Sequence, residues 1–122
     1  MKTLSITGEL DIIAVRMEVR NLARAVGFNV TDQACISLAT SSLAHFLDLG
    51  GKYTGTISFG RSNGNPRSGL LVVCVIHCDD HGLDPADLNS KRLEKVRWMV
   101  DEMDIQALPS NNIQITLVKY LG

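Results

Sequence analysis

The residues whose types could do chemistry fall in three short stretches. Ser41, Ser42 and His45 share one predicted helix, with Ser41 and His45 four apart and so on one face, a spacing that suits a nucleophile and a base. No orienting carboxylate or oxyanion site accompanies them, so a polar helix edge is expected instead. Cys74, His77, Cys78 and His81 carry metal-ligand chemistry. Successive side chains of a strand point to opposite faces, so Cys74 and Cys78 turn away from His77 if 74–78 is a strand. Four ligands then cannot converge, and core thiols rather than a metal site are expected. The third stretch, Asp79-Asp80-His81-Gly82-Leu83-Asp84, sets carboxylates in a polar loop after an apolar run.

The elements that would position these groups follow from the periodicity. Lys2 to Thr7 alternates polar and apolar and ends at Gly8, a short strand. From about Leu10 the spacing becomes three and four, through Ile12, Val15, Val19, Leu22, Ala23 and Val26, and Gly27 is the stop. Asp11 suits the first turn, where the helix dipole favours a carboxylate. A second helix is predicted from Thr31, capped by Thr31-Asp32-Gln33. It carries Ala34, Ile36, Leu38, Ala39, Leu43, Ala44 and Leu47 and stops at Gly50-Gly51.

Period two returns at Tyr53, Gly55, Ile57 and Phe59, and Leu70 to Ile76 reads as a buried strand; the two form a hairpin around the turn-rich segment 61–69. After a polar loop over 79–89, Ser90 can cap a third helix with Leu93, Val96, Arg97, Met99 and Val100 as its inner stripe and Trp98 partly buried. Strands over 103–108 and 113–118 flank the turn Pro109-Ser110-Asn111-Asn112. The order β-α-α-β-β-α-β-β predicts one α+β domain over residues 1–122. It is a two-layer sandwich of a mixed, mostly antiparallel sheet with helices on one face.

Composition bounds the function. A chain of 122 residues can bury a core without staples. Its net charge of −1 leaves no electrostatic footprint for nucleic acid or an acidic membrane. Apolar runs are too short to span a bilayer. Glu9, Asp11, Arg16, Glu18 and Arg20 argue against a signal peptide, and three cysteines read as reduced thiols, so a cytoplasmic setting is expected.

Ile12-Ile13-Ala14-Val15-Arg16, Val19-Arg20-Asn21-Leu22-Ala23-Arg24, Asp32-Gln33 and Val100-Asp101-Glu102-Met103-Asp104-Ile105 carry a resemblance over nearly the whole chain. With this element order, the sequence resembles the GHKL ATPase superfamily, in its anti-sigma factor and switch serine kinase branch (RsbT-like and RsbW-like proteins). Active members of that family carry Glu-x-x-x-Asn on the second helix, the Glu for activating the attacking group and the Asn for magnesium. Here the register set by Ala39 and Leu43-Ala44 places Ser42 and Phe46 at those positions. Phe offers no oxygen to a cation that demands oxygen ligands.

The family's Asp-x-Gly-x-Gly survives as Asp80 and Gly82, a remnant cofactor-binding pair, with Asp84 in place of the second glycine. The glycine-rich lid is absent, its glycine positions falling on Ser90, Arg92 and Lys95. The resemblance with these losses implies a regulatory protein of a bacterial stress-response system that docks partners and has lost ATP and magnesium, a pseudokinase. Phe46 is expected to be buried and to fill the emptied cavity.

The family's partners are sigma factors, STAS-domain antagonists, the stressosome scaffold and PP2C-type phosphatases; a second copy of the chain, as a homodimer, is a further candidate. Arg16, Arg20, Arg24, His45 and Asp48 are the expected contact residues, with the loop 79–84. The alternatives are an ATP-dependent serine kinase with an atypical site, which would have to use Asp48, a non-triphosphate nucleotide site at Asp80, and the amino-terminal regulatory domain of a phosphatase.

Overall fold

The fold is that of a computed structural model, which describes residues 1–62, 67–78, 88 and 91–121, with the backbone alone at Lys91 and Arg92. Among these, five strands and three α-helices run β1 (Lys2–Ile6), α1 (Glu9–Val26), α2 (Val30–Phe46), β2 (Thr54–Ser62), β3 (Gly69–His77), α3 (Lys91–Met99), β4 (Glu102–Ala107) and β5 (Ile113–Tyr120). The strands lie in the order β1-β2-β3-β5-β4. All four pairings are antiparallel, so the sheet is antiparallel throughout its named strands. The expected α+β architecture and element order are those observed.

One face of the sheet is apolar because the inward positions of paired strands coincide. Ile57 pairs with Cys74 and Cys74 with Ile115, while Phe59 pairs with Val72 and Val72 with Leu117. All six are buried. Cys74 and Cys78 belong to this core, and burial pushes the Cys74 thiol up to about 12. A thiol of that kind stays protonated and inert.

The helices cover this face, with α2 packed against both α1 and α3. From α1 come Ile12, Val15, Val19, Ala23 and Val26. Gly27 ends the helix at φ +111°, and the Phe28 N–H reaches the Ala23 carbonyl at 3.0 Å, the left-handed closure for which glycine is favoured. α2 is capped two residues earlier than expected. The Asn29 side chain accepts from the Asp32 N–H at 2.8 Å, and Gln33 is turned back to the Phe28 carbonyl, also at 2.8 Å. Leu38, expected inside, is exposed, because Ile36, Ala39, Leu43 and Ala44 already fill the inner face. On α3 the inner positions are Leu93 and Val96, followed by Val100. Trp98 stands two residues from Val96, roughly 200° around the helix, and is 88% exposed rather than partly buried. Arg97 is likewise outside.

The entry to α1 carries a titratable lock. Asp11 accepts from the Thr7 N–H and the Thr7 hydroxyl, each at 2.9 Å. These bonds to the charged form hold its carboxyl below the usual value of 3.8. A folded pKa below the unfolded one gives a contribution that is complete at neutral pH and fades as pH falls from the ordinary value through the lowered one. The stability gap between the parent and Asp11→Asn should therefore close on acidification. Denaturant melts at pH 7 and in strong acid measure it, and a gap untouched by acid would contradict the lock.

Candidate functional site

α2 lies between the other two helices, so little of its surface is left for a site. Ser37, Ala39, Thr40, Ser41, Leu43 and Ala44 are all buried. Three of its hydroxyls are turned onto the helix itself: Ser37 donates to the Ala34 carbonyl at 3.1 Å, Thr40 to Ile36 at 2.8 Å and Ser41 to Leu38 at 3.2 Å. Ser41 is thereby withdrawn from His45, and the Ser41–His45 pairing suggested by spacing alone is not formed.

What remains open is the carboxyl-terminal edge of α2. Ser42, His45 and Phe46 line a cavity of about 300 Å³ whose opposite wall carries Lys95 of α3. Ser42 and Phe46 reach it together because they lie one turn apart on one face. Phe46 is half-buried against the core rather than enclosed. The expected plug is therefore a wall, and space stays open beside it. The Ser42 hydroxyl has no hydrogen-bond partner among the described residues. Nor has Lys95 an ion-pair partner among them.

His45 has acquired a carboxylate that nothing in the sequence announced. Its Nε2 lies 2.8 Å and 3.1 Å from the two oxygens of Glu9, in the first turn of α1. The two residues are 36 apart in sequence, so only the packing of α1 on α2 could reveal the pair. Both are exposed, and such a pair adds about 0–1 kcal/mol of stability. Its consequence is orientation: one ring nitrogen is held, and Nδ1 is left without a partner among the described residues.

The other expected residues separate. Asp48 has φ +49° and closes the turn after α2, its carboxylate accepting from the Lys52 N–H at 2.9 Å. Arg16, Arg20 and Arg24 stand exposed along α1, without ion-pair partners among the described residues. Asp80, Gly82 and Asp84, with His81 and the lid position Ser90, lie outside the described residues, as does the Arg92 side chain. Among the described residues no group of three or more His, Cys, Asp and Glu could hold a metal, and no helix is long and apolar enough to cross a membrane.

A second surface is one that sequence reasoning passed over. Leu10, Ile13 and Met17 of α1 are 81%, 46% and 61% exposed. They recur at three and four residues, opposite the buried stripe, and Arg20 and Arg24 extend the same outer face. The signal was present in the sequence as a second apolar stripe, half a turn from the first.

No family model matches the chain. The sequence is 28% identical over 127 aligned residues to the serine/threonine-protein kinase RsbT of Bacillus subtilis (strain 168), covering 93% of this chain and 91% of that protein. The similarity is weak but runs end to end, and it supports an RsbT-like relationship.

Half-burial sets the expected cost of removing the cavity wall. Emptying a fully buried Phe costs about 3–5 kcal/mol; Phe46→Ala should cost less, about 1–2 kcal/mol, near the average for point changes. Urea unfolding measures it. A loss within the fully buried range would restore the plug.

Proposed function

We propose that this chain is a regulatory protein of the partner-switching type, working by docking another protein, with its nucleotide chemistry lost. The observation that carries this reading is the outer face of α1. A helix that already buries one apolar stripe has no folding reason to present a second, and exposed apolar positions bordered by charge mark interaction sites. Burying Leu, Ile and Met side chains gains about 1.5–3 kcal/mol each, enough for three to offset much of the cost of association. Arg16, Arg20 and Arg24 add unpaired positive charge beside them, so the partner presents apolar side chains within an acidic margin.

The lost chemistry rests on the cavity. Its described lining includes no carboxylate, and Phe46 supplies no oxygen where the resembled family holds magnesium. The resemblance makes the partner a sigma factor, a STAS-domain antagonist or a PP2C-type phosphatase, and activating a phosphatase by contact requires surface alone. The similarity to a serine/threonine-protein kinase favours a second reading, an active kinase with an atypical site. That reading would have to use Asp48, whose carboxylate also accepts from the Lys52 N–H.

Changing exposed α1 residues should separate docking from folding. Met17→Asp, or Arg20→Glu with Arg24→Glu, should leave circular dichroism unchanged and stability within about 0.5 kcal/mol. Either should weaken binding to the cognate purified sigma, STAS or phosphatase protein at least tenfold, about 1.4 kcal/mol. Unaltered affinity in both variants, or phosphorylation of a serine by the purified chain, would overturn the reading.

A further inference from the structure

The cavity between α2 and α3 has a chemistry independent of α1's outer face. Its described lining is a hydroxyl, an imidazole, an ammonium and a phenyl ring, from Ser42, His45, Lys95 and Phe46. The first three can donate hydrogen bonds. Each is uncommitted toward the cavity. Ser37, Thr40 and Ser41 turn their hydroxyls onto helix carbonyls whereas Ser42 does not. Lys95 has no counter-charge among the described residues. Glu9 occupies Nε2 of His45 and leaves Nδ1 without a partner among the described residues. Polar groups from two helices, with no carboxylate in the described lining, suit an anion.

We propose that this cavity binds a phosphomonoester group without a metal ion. Such a group carries about −1.5 to −2 charges at neutral pH and three strong acceptor oxygens, which suits the Lys95 ammonium and the Ser42 hydroxyl approaching from separate helices better than a planar carboxylate does. Lys95 supplies the point charge and Ser42 a short O–H donor. His45, held through Nε2 by Glu9, turns its Nδ1 edge to the ligand. Phe46 packs beside the organic part, for which a volume of about 300 Å³ leaves room. A triphosphate fits less well, since it would bring more negative charge than the described lining meets, and that lining holds no carboxylate for the magnesium that normally offsets it. The same group occurs on a phosphorylated serine of a protein and on a nucleoside monophosphate, and the cavity recognises what they share.

Titration calorimetry in excess chelator tests this, with a phosphoserine peptide, its unphosphorylated twin, adenosine monophosphate and inorganic phosphate as probes. At least one phosphorylated probe should saturate with a dissociation constant below about 1 mM, or −4.1 kcal/mol, while the unphosphorylated peptide does not. Lys95→Ala and Ser42→Ala should each weaken that binding at least fivefold, with circular dichroism unchanged and Lys95→Arg retaining most of it. Preference for the peptide identifies a phosphoprotein as the source, and preference for the nucleotide a small metabolite. Equal binding of all three assigns recognition to the phosphate alone. Absence of saturation by every phosphorylated probe, or full affinity in both alanine variants, would overturn the site. The Arg20→Glu, Arg24→Glu variant should bind the same probe normally, which keeps a failure here distinct from a failure of α1 docking.

Discussion

Everything in this molecule depends on covering one face of a five-stranded antiparallel sheet with three helices. The sheet supplies an apolar surface whose centre is Val72, Cys74, Ile57 and Ile115, all without solvent exposure. One helix cannot cover five strands spaced about 4.8 Å apart, so α2 is held between two neighbours. Close approach on both sides favours small residues, and α2 supplies Ser37, Ala39, Ser41 and Ala44 among its buried positions. Its buried hydroxyls, on Ser37, Thr40 and Ser41, are satisfied internally for the same reason, since a buried donor without a partner costs about 1–3 kcal/mol.

The same constraint decides where function can reside. A helix enclosed on several sides presents chemistry only at an end, and here that end is Ser42, His45 and Phe46. α1, at the flank, keeps a whole face free. The molecule thus has two separate surfaces: a donor-lined cavity fixed by the α2–α3 contact, and an apolar and basic face on α1. Among the described residues they are linked by the contact of Glu9 with His45, in which the first turn of α1 holds a wall of the cavity. A distant end-to-end similarity to a serine/threonine-protein kinase is compatible with a frame kept while its chemistry changed.

Much of the fold was legible because its periods are clean. Ile12, Val15, Val19 and Val26 mark α1 without ambiguity, Gly27 ends it, and the alternation of β2 and the apolar run of β3 place the hairpin. The start of α2 was less legible: enclosure blurs its amphipathic pattern, and Thr31 competes with Asn29 as a cap on composition alone. Leu38 and Trp98 look like core residues by type, yet both lie outside because the angle around the helix, not hydrophobicity, decides burial. For the site, Ser42 and Phe46 could be brought to one face by their spacing, and Lys95 could be placed near them only through the resemblance. Glu9 was invisible, being a long-range neighbour of His45 with no local signature. The outer stripe of α1 was readable but is masked by the stronger inner one at the same period.

The central claim is that the frame of a kinase persists without its metal and nucleotide chemistry. Calorimetry with magnesium and ATP on the parent, set beside a Ser42→Glu, Phe46→Asn double variant that returns the family's carboxylate and amide to the cavity, addresses it most directly. The account predicts no measurable heat of binding to the parent. Micromolar affinity of the unmodified chain for magnesium ATP, about −8 kcal/mol, would contradict it.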